Sequence, residues 1–554
     1  MGAPGPDPRD RAADWLARDP DPETRAELEA LLAAGDLDEV AARFAGRLAF
    51  GTAGLRGRMG AGPMRMNRLV VRQSAAGIAR YLLAHVPDAT SRGVVVAHDA
   101  RHRSAVFAAD CAEVLAAHGI PVVLADGPQP TPVGVFAIRH LGCAAGIVVT
   151  ASHNPPADNG MKLYMGDGAQ IVPPVDGLVA AAIDAAAGDG VIVPPGTAPA
   201  AVTPLGAEVV DAYRAATLAR VPAPAAPIRI ATSAMHGVGG APLARLLADA
   251  GHREVFPVAA QEAPDPDFPT VTFPNPEEPG ATDLLAARMR ETDALIGLAV
   301  DPDADRVAVL VRDADGAPRQ LTGDDVGALL GEWLLAEVTS GPRRLVVCSV
   351  VSGSLLARIA EAHGAVFAQT LTGFKWLSRP AMEDPSLVQV LAYEEAIGYA
   401  VGADVRDKDG LSAAVAVASM AAAARAEGAT LADRLDDLHR RHGAHVTDNF
   451  SLRDESPDGA ARRAALVGRL IAAPPARLGD AAVTAVDAPA ADVLRIRLDG
   501  GSRVVVRPSG TEPKLKCYCE AVEPVPDGDV AAARARARVR LAGIRAALTP
   551  LLLG

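Results

Sequence analysis

Short apolar runs alternate with segments of helical periodicity along most of the chain. The first series predicts a strand over 94–97, a helix over 104–118, a strand over 121–124, a helix over 131–140 and a strand over 145–149. This βαβαβ order is typical of α/β layers. It follows an Ala-rich, helix-favouring start that extends to about residue 48.

Two further series of the same kind follow. One has a strand over 228–232, a helix over 241–250 and a strand over 295–300, and the next has a helix over 324–338, a strand over 345–350, a helix over 354–363 and a strand over 365–369. The last hundred residues instead predict strands over 493–498, 503–506 and 515–522 and a helix from 530. The pattern predicts α/β domains in tandem and a C-terminal α+β cap domain.

Composition and Pro-rich segments divide this pattern into domains. A chain of 554 residues is too long for one compact core. Stretches rich in Pro and Ala, 193–204 and 221–227, are typical of boundaries. We predict a helical segment and four domains over 1–48, 49–204, 205–320, 321–442 and 443–554.

The charge and the apolar content exclude several classes of protein. A formal charge of −13 argues against a general nucleic-acid binder, and 49% hydrophobic residues argue against a disordered chain. The five cysteines show no disulfide or zinc spacing. No secretory signal is evident, and the longest apolar run, 411–424, is shorter than a membrane span. We expect a cytoplasmic protein with no membrane or nucleic-acid partner.

Lysine is rare, and its positions are informative. Of the 54 basic residues only five are lysines, and four of these lie in segments dense in Gly, Asp, Asn, Pro, Ser or Thr: Lys162, Lys375, Lys408 and Lys514. A chain that otherwise uses Arg retains Lys where a compact ammonium or a titratable amine is needed. The alternative is chance retention on loops, but four such positions together favour a functional role.

The segment TASHNPPADNGMK, residues 150–162, follows an apolar strand directly. We expect Ser152 to be exposed on this loop. Neighbouring side chains on an extended chain point apart, so Ser152 and His153 do not predict a hydrolase triad, and the GxSxG elbow is absent. The remaining interpretation is a serine that carries a phosphoryl group beside His153 and Lys162, although SHNPP is also good turn chemistry.

DPDADR, residues 301–306, follows another apolar strand and places three aspartates at alternate positions. On an extended segment Asp301, Asp303 and Asp305 would face one side, where their mutual repulsion favours a bound cation. Oxygen ligands favour Mg²⁺ over zinc, and Arg306 stands where an EF-hand needs glycine. The alternative is a solvated acidic turn.

Three further segments carry candidate binding residues. RPSGTEPK, 507–514, offers a guanidinium, two hydroxyls and freed backbone N–H groups to a phosphate, although a plain hairpin turn would also use Pro, Ser and Gly. TLTGFKW adds a Gly-containing loop, and YEEAIGY adds a pair of carboxylates. Such a pair commonly binds sugar hydroxyls, but it is equally common as a helix cap. FGTAGLRG brings Arg56 near glycines. Cations concentrated in Gly-rich loops of an acidic protein indicate a small anionic substrate.

Together these motifs resemble the α-D-phosphohexomutase superfamily, the phosphoglucomutase and phosphomannomutase enzymes. TASHNP resembles the phosphoserine loop, DPDADR the magnesium loop, EEAIG the sugar-binding loop and RPSGTEPK the phosphate-binding loop, in the family's order. FGTAGLRG, EEAIGY and DKDG resemble the branch that includes the phosphoglucomutase-2 and phosphopentomutase type enzymes. The resemblance implies three α/β domains and an α+β cap domain around a central cleft.

The resemblance also implies a role for each matching residue. Ser152 would carry the phosphoryl group and bind one Mg²⁺ with Asp301, Asp303 and Asp305, while His153, Lys162 and Arg306 would be catalytic. Nine residues would bind the substrate. Arg56, Thr372, Gly373 and Glu394 would contact the sugar phosphate, with Thr372, Gly373 and Glu394 in the sugar-binding loops. The phosphate that does not react would be bound by Lys408, Arg507, Ser509, Gly510 and Thr511.

The implied activity is interconversion of hexose 1-phosphate and hexose 6-phosphate, for glucose or mannose, through a bisphosphate that also serves as activator. A phosphopentomutase shares every motif. A metal-dependent sugar phosphatase and a catalytically dead sugar-phosphate sensor are further alternatives. The chain departs from the hexose pattern Glu-x-Ser, because Ala396 stands where those enzymes have serine. We expect a monomer or a homodimer.

Overall fold

The computed structural model describes residues 7–49, 54–313, 315–338, 343–453, 456, 459–508 and 514–553. The chain forms two compact units. The first comprises Met1–Pro222, Arg229–Ala308 and Asp404–Val415, and the second comprises Ala223–Ile228, Val309–Ala403 and Ala416–Gly554. A short segment from the later part of the sequence, Asp404–Val415, therefore belongs to the first unit.

The first unit begins with helices that aspartates cap. The side chains of Asp7, Asp21 and Asp36 accept hydrogen bonds from backbone N–H groups of the first turns, which are otherwise without partners. Prolines occupy the first position of two of these helices. The helices are α1 (Pro8–Leu16), α2 (Pro22–Ala34) and α3 (Leu37–Arg43). The predicted helical start is confirmed.

A mixed sheet with helices forms the main layer of the first unit. Its strands are β1 (Leu55–Arg58), β2 (Val94–His98), β3 (Val122–Leu124), β4 (Ala145–Val149), β5 (Asp158–Met165) and β6 (Val202–Pro204), in the order β1-β5-β4-β2-β3-β6. Strands β4, β2, β3 and β6 are parallel, while β5 is antiparallel to β4 and β1. The helices are α4 (Arg68–His85), α5 (Ala89–Arg92), α6 (Ser104–Ala117), α7 (Thr131–His140), α8 (Val175–Asp189) and α9 (Ala207–Leu218).

A second sheet of the first unit carries the DPDADR turn. Strand β7 (Arg229–Ser233) pairs in parallel with β8 (Glu254–Pro257) and β9 (Ile296–Val300), and the helices are α10 (Gly240–Ala250), α11 (Ala259–Glu262) and α12 (Asp283–Thr292). All of β9 is buried, and the strand ends at Val300, directly before Asp301. Strand β10 (Val307–Arg312) then continues into the second unit.

The second unit starts with a hairpin and a sheet in the order β13-β12-β14-β15. The hairpin joins β10 to β11 (Pro318–Gln320). The sheet strands are β12 (Arg343–Ser349), β13 (Val366–Thr370), β14 (Leu387–Glu394) and β15 (Gly398–Val401). The helices are α13 (Gly323–Glu337), α14 (Leu355–Ala362), α15 (Phe374–Leu377), α16 (Arg379–Glu383), α17 (Gly410–Ala426) and α18 (Leu431–His442), and the start of α17, as far as Val415, belongs to the first unit.

The C-terminal part is an antiparallel sheet that packs against helices, as the cap prediction requires. Its strands are β16 (Ala444–Arg453), β17 (Arg477–Leu478), β18 (Ala481–Ala490), β19 (Val493–Leu498), β20 (Arg503–Pro508) and β21 (Lys514–Glu523), in the order β16-β21-β20-β19-β18-β17. A 3₁₀ turn spans Asp499–Gly501, and the helices are α19 (Gly459–Ala472) and α20 (Val530–Leu553). One apolar core joins the sheet to both helices.

The α/β fold class with a C-terminal α+β domain is confirmed. The main error concerns residues 158–162, which the sequence analysis assigned to a loop and which belong to β5. Lys162 therefore lies on a buried strand. Within the described ranges, no helix combines the length and the hydrophobicity that a membrane crossing requires. All five cysteines are described, buried and free of disulfides.

Candidate active site

Ser152 lies on the loop after β4 and is buried, with 3% of its surface exposed. Its backbone N–H donates to Thr150 Oγ1 over 2.8 Å, and its hydroxyl donates to Asp301 Oδ2 over 3.1 Å. The predicted exposure is wrong. The predicted separation of Ser152 from His153 is also wrong, because Ser152 has a φ of 51° and is not extended, which leaves its Oγ 3.2 Å from His153 Nδ1.

A buried arginine and a buried aspartate hold this loop. Arg101 donates to the carbonyl oxygens of Ser152 and Asn154, each over 2.5 Å. Asp99 accepts hydrogen bonds from the Thr150 hydroxyl and the Arg101 backbone N–H over 2.6 and 3.0 Å. The sequence analysis missed both residues. Their signal is the segment HDARHRS, which places charged residues immediately after the buried strand β2.

The three aspartates Asp301, Asp303 and Asp305, here called the aspartate cluster, are at most 1% exposed. One carboxylate oxygen of each lies within 4.8 Å of the others. The predicted convergence is observed, but its expected cause is wrong: the segment is a turn in which Ala304 has a φ of 57°, and not an extended strand.

The donor set of the aspartate cluster fits a hard divalent cation. The Oδ1 atoms of Asp303 and Asp305 are buried and accept no hydrogen bond from any described residue. Burial first, and then repulsion from the other two carboxylates, raises the pKa of Asp301 to about 7. A cation bound by these oxygens would remove both penalties, and carboxylate oxygens are the ligands that Mg²⁺ prefers.

Lys162 neutralises part of the aspartate cluster. Its Nζ lies 2.8 Å from Asp303 Oδ2 and 2.7 Å from Asp305 Oδ2, and the residue is 2% exposed. Burial alone would lower the pKa of Lys162, but the two carboxylates outweigh burial and raise it. Lys162 is therefore held as an ammonium, which suits charge stabilisation better than proton transfer.

His153 has the opposite electrostatic environment. Burial first, and then the positive charges of Arg306 and Arg56, hold the pKa of His153 well below its ordinary value. Its imidazole is therefore neutral near pH 7 and can accept a proton at the nitrogen that faces Ser152. Arg56 lies on β1, in register with Gly160 of β5.

Arg306 and Thr131 complete the surroundings of the aspartate cluster. Arg306 Nε lies 3.2 Å from Asp301 Oδ2, while its Nη2 is buried and donates to none of the described residues, so one donor is left for an anion. Thr131 donates its hydroxyl to Asp303 Oδ2 over 2.7 Å and its backbone N–H to Asp303 O over 2.9 Å. The sequence analysis missed Thr131, and nothing local in PQPTP indicates it.

Lys408 lies in the segment that returns to the first unit. Its Nζ is 3.3 Å from Asp305 Oδ2, and the same atom is 3.2 Å from Asp407 Oδ1. The structure therefore places a second lysine on the aspartate cluster. Its predicted contact with the phosphate that does not react stays a prediction.

The second unit brings together the residues predicted for the sugar. Glu394, at the end of β14, accepts a hydrogen bond from the backbone N–H of Gly373 over 2.7 Å. Gly373 has a φ of 112°, which favours glycine, and the neighbouring Thr372 hydroxyl is buried without a partner among the described residues. Thr372, Gly373 and Glu394 are therefore neighbours in the folded second unit.

Arg507 lies at the end of β20, 3.3 Å from the Tyr518 hydroxyl. Burial would lower the pKa of Arg507, but Tyr518, Glu395 and Glu394 outweigh burial and raise it, which keeps the guanidinium charged. Ser509, Gly510 and Thr511 lie outside the described residues, and their predicted role stays a prediction.

Models of four protein domains match the chain in order. They are described as "Phosphoglucomutase/phosphomannomutase, alpha/beta/alpha domain I" over 47–188, domain II over 211–316, domain III over 322–442 and "C-terminal domain" over 468–537. Together they cover most of the 554 residues.

Individual proteins resemble the chain over nearly its whole length. A protein named "Probable phosphomannomutase" from Haemophilus influenzae is 40% identical over 83% of this chain and 93% of its own. The phosphopentomutase of Mus musculus is 34% identical over 93% and 90%. The solved structure of a phosphoglucomutase/phosphomannomutase family protein from Burkholderia thailandensis, 23% identical over 91% and 98%, has the same fold with a TM-score of 0.68. The chain therefore belongs to the phosphoglucomutase/phosphomannomutase family of the α-D-phosphohexomutase superfamily and is an enzyme of the mutase class.

Proposed function

We propose that the enzyme interconverts the 1-phosphate and the 6-phosphate of a hexose, glucose or mannose, with Ser152 as the residue that carries the phosphoryl group. The observation that carries this proposal is the contact between Ser152 Oγ and Asp301 Oδ2 within the aspartate cluster. Two carboxylate oxygens of the cluster and the Nη2 donor of Arg306 have no hydrogen-bond partner among the described residues, so they would be available to a cation and to a phosphoryl group on Ser152. These are the groups that phosphoryl transfer needs.

The forward half-reaction breaks the bond between phosphorus and Ser152 Oγ. The 6-hydroxyl oxygen of the hexose 1-phosphate forms a new bond to the phosphorus, and the hydroxyl proton leaves. The Ser152 oxygen receives a proton as the serine hydroxyl is restored, and neutral His153, 3.2 Å from Ser152 Oγ, would relay that proton. The product is the 1,6-bisphosphate, and Lys162 stabilises the charge of the transferring group.

The second half-reaction uses the same groups in reverse. The bisphosphate presents its 1-phosphate, Ser152 Oγ attacks that phosphorus, and the freed 1-oxygen takes the proton. Hexose 6-phosphate leaves and the phosphoserine is regenerated. A trace of bisphosphate would activate enzyme that has lost its phosphoryl group.

We propose one Mg²⁺ per active site as the ion of the aspartate cluster. Asp301, Asp303 and Asp305 would hold it together with the phosphate on Ser152. The ion would supply Lewis-acid stabilisation of the charge on the phosphoryl oxygens. One oxygen each of Asp303 and Asp305 accepts no hydrogen bond from the described part of the chain, which supports this choice.

The identity of the sugar rests on the second unit. Glu394, Thr372 and Gly373 support a site for sugar hydroxyls, but Ala396 supplies no hydroxyl where the hexose pattern has serine. A pentose 1-phosphate with a 1,5-bisphosphate intermediate is therefore the second candidate, and the likeness to the mouse phosphopentomutase supports it. The domain boundaries, the cytoplasmic location and the monomer or homodimer stay predictions.

The deciding experiment compares Ser152→Ala with Ser74→Ala. Ser74 is a buried serine of α4 whose hydroxyl donates to Val70 O over 2.8 Å, so its removal tests the loss of a buried hydroxyl alone. We expect that glucose 1,6-bisphosphate adds one phosphoryl group to the wild type and to Ser74→Ala, but not to Ser152→Ala, by intact-protein mass. Full mutase activity in Ser152→Ala would refute the proposal.

Ratios of kcat/KM for glucose, mannose, ribose and deoxyribose 1-phosphates identify the sugar. A hexose mutase prefers one of the first two, and a phosphopentomutase prefers one of the last two. Release of free phosphate without isomerisation would instead identify a phosphatase.

A further inference from the structure

A buried polar cluster joins β5 to the DKDG turn within the first unit. We call Tyr164, Gln170 and Asp407 the tyrosine cluster. Asp407 Oδ2 accepts hydrogen bonds from the Tyr164 hydroxyl over 2.6 Å and from Gln170 Nε2 over 2.7 Å. Tyr164 and Asp407 are fully buried. None of the sequence motifs predicted these contacts.

The other oxygen of Asp407 faces Lys408. Asp407 Oδ1 accepts the Lys408 backbone N–H over 2.7 Å and lies 3.2 Å from Lys408 Nζ. Lys408 Nζ in turn lies 3.3 Å from Asp305 Oδ2. The ammonium group therefore lies between a carboxylate of the tyrosine cluster and a carboxylate of the aspartate cluster.

One strand sets the positions of both lysines. Lys162 and Tyr164 are two residues apart on β5, so their side chains leave the strand on the same face. Lys162 Nζ lies 2.7 Å from Asp305 Oδ2. The Tyr164 hydroxyl donates a hydrogen bond to Asp407, and Asp407 in turn contacts Lys408. The two ammonium groups thus meet on one oxygen of Asp305.

The hydroxyl of Tyr164 is important because Asp407 has no contact with solvent. A fully buried carboxylate depends on its hydrogen bonds, and loss of the Tyr164 hydroxyl would leave Asp407 Oδ2 with Gln170 as its only donor among the described residues. Without the tyrosine hydroxyl, Asp407 is free to rotate towards other donors. Its other oxygen would then no longer fix Lys408.

We propose that the tyrosine cluster positions Lys408 so that Lys162 and Lys408 together neutralise the phosphoryl group while it is transferred. This inference rests on the proposed function. It differs from the role that the resemblance implies for Lys408, a grip on the phosphate that does not react. A residue that acts on the transferring group changes kcat, whereas a residue that holds the distant phosphate changes KM.

The test uses Tyr164→Phe with Tyr213→Phe as its matched control. Tyr213 donates its hydroxyl to Asp409 Oδ1 over 2.8 Å, in the same turn, and is buried as well. Asp409, however, caps α17 through the N–H groups of Leu411 and Ser412 and is two residues from Asp407. Both variants remove one buried Tyr–Asp hydrogen bond, but only one of these bonds leads to Lys408.

We expect Tyr164→Phe to lower kcat about 10-fold with little change in KM, and Tyr213→Phe to stay within about twofold of the wild type. Asp407→Asn and Gln170→Met should lower kcat in the same direction, which covers the case that Tyr164→Phe folds poorly. Single-turnover transfer from the phosphorylated enzyme to glucose 1-phosphate should slow by the same factor.

A double-mutant cycle separates positioning from a general loss of stability. If Tyr164 acts through Lys408, Tyr164→Phe has no further effect on kcat in a Lys408→Met background. The inference is wrong if Tyr164→Phe matches Tyr213→Phe, if only KM rises, or if the effect persists in Lys408→Met. An inactive wild type on all four sugar 1-phosphates would instead refute the proposed function.

Discussion

Glu520 offers a quantitative test of the electrostatics inside the second unit. It lies on β21 with 2% of its surface exposed. Arg503 Nε donates to its Oε2 over 2.7 Å, and its Oε1 accepts the Ser354 backbone N–H over 2.8 Å and lies 2.9 Å from His445 Nδ1. The carboxylate thereby joins the connection after β12 to the C-terminal sheet. We predict that Glu520→Gln destabilises the protein in a pH-dependent way.

The pKa of Glu520 sets the magnitude. Burial would raise this pKa, but Arg503 and then His445 outweigh burial and lower it to about 2 from an ordinary value of 4.5. One unit of pKa difference corresponds to about 1.4 kcal/mol, so ionised Glu520 stabilises the folded state by roughly 3 kcal/mol. Because the folded-state pKa is depressed, this contribution is complete above pH 4.5 and is lost as the pH falls towards 2.

The assay is urea unfolding of Glu520→Gln and the parent protein at pH 7 and pH 3. The loss of stability on substitution should fall from roughly 3 kcal/mol at pH 7 to about 1 kcal/mol at pH 3. Loss of the charge pair with Arg503 belongs to this pH-dependent contribution, because protonation of Glu520 removes the same pair in the parent protein. A Trp15→Phe background leaves Trp333 and Trp376, both in the second unit, as the fluorescent probes.

Glu523→Gln is the matched control on the same strand. Glu523 is more exposed, and its arginine partners lie farther away, 3.7 Å for Arg536 and 3.5 Å for Arg540. Such pairs contribute at most about 1 kcal/mol. An equal loss of stability for Glu520→Gln at both pH values would show that the carboxylate's charge is not what stabilises this junction.

Two further predictions concern the first unit. Mg²⁺ should raise the melting temperature of the wild type and chelator should reverse the rise, whereas Asp303→Asn should show a much smaller rise in thermal-shift measurements. Gly410→Ala should destabilise the protein by about 1–3 kcal/mol, because its Cβ would lie 2.4 Å from Arg306 O, while Gly468→Ala, which meets no atom within 4 Å, should not. Equal melting temperatures for the two glycine variants would contradict the close approach.

The sequence predicted those strands whose apolar runs end in polar loops. Strands β4 and β9 are completely buried and lead directly into the Ser152 loop and the aspartate cluster, so hydrophobic pattern alone located both. Strand β5 was missed because it begins with Asp158, Asn159 and Gly160, which are typical turn residues. Its extended form depends on antiparallel pairing with β1 and β4, which is not visible in a local window.

The sequence indicated candidate site residues where they form a recognisable local motif, and it missed those that lie outside such motifs. Three aspartates at alternate positions, Asp301, Asp303 and Asp305, are visible in the sequence as a candidate cation site. The Thr131 hydroxyl, by contrast, meets Asp303 across 172 residues of sequence, and Tyr164 meets Asp407 across 243. Neither residue lies in a segment with a recognisable motif, so only the folded chain brings these partners together.

The charges around the aspartate cluster bear on the proposal that this site binds a cation and a phosphoryl group at the same time. Lys162, Arg306 and Lys408 place three positive charges beside the three carboxylates of the cluster, and Asp407 pairs with Lys408 as well. A divalent cation alone, or a phosphoryl dianion alone, would change the buried charge by two units, which is costly. The two together add no net charge to the site. Burial first, and then repulsion from Asp305 and Asp303, raises the pKa of Asp301, and a bound cation would relieve both. Metal binding and phosphorylation of Ser152 should therefore favour each other.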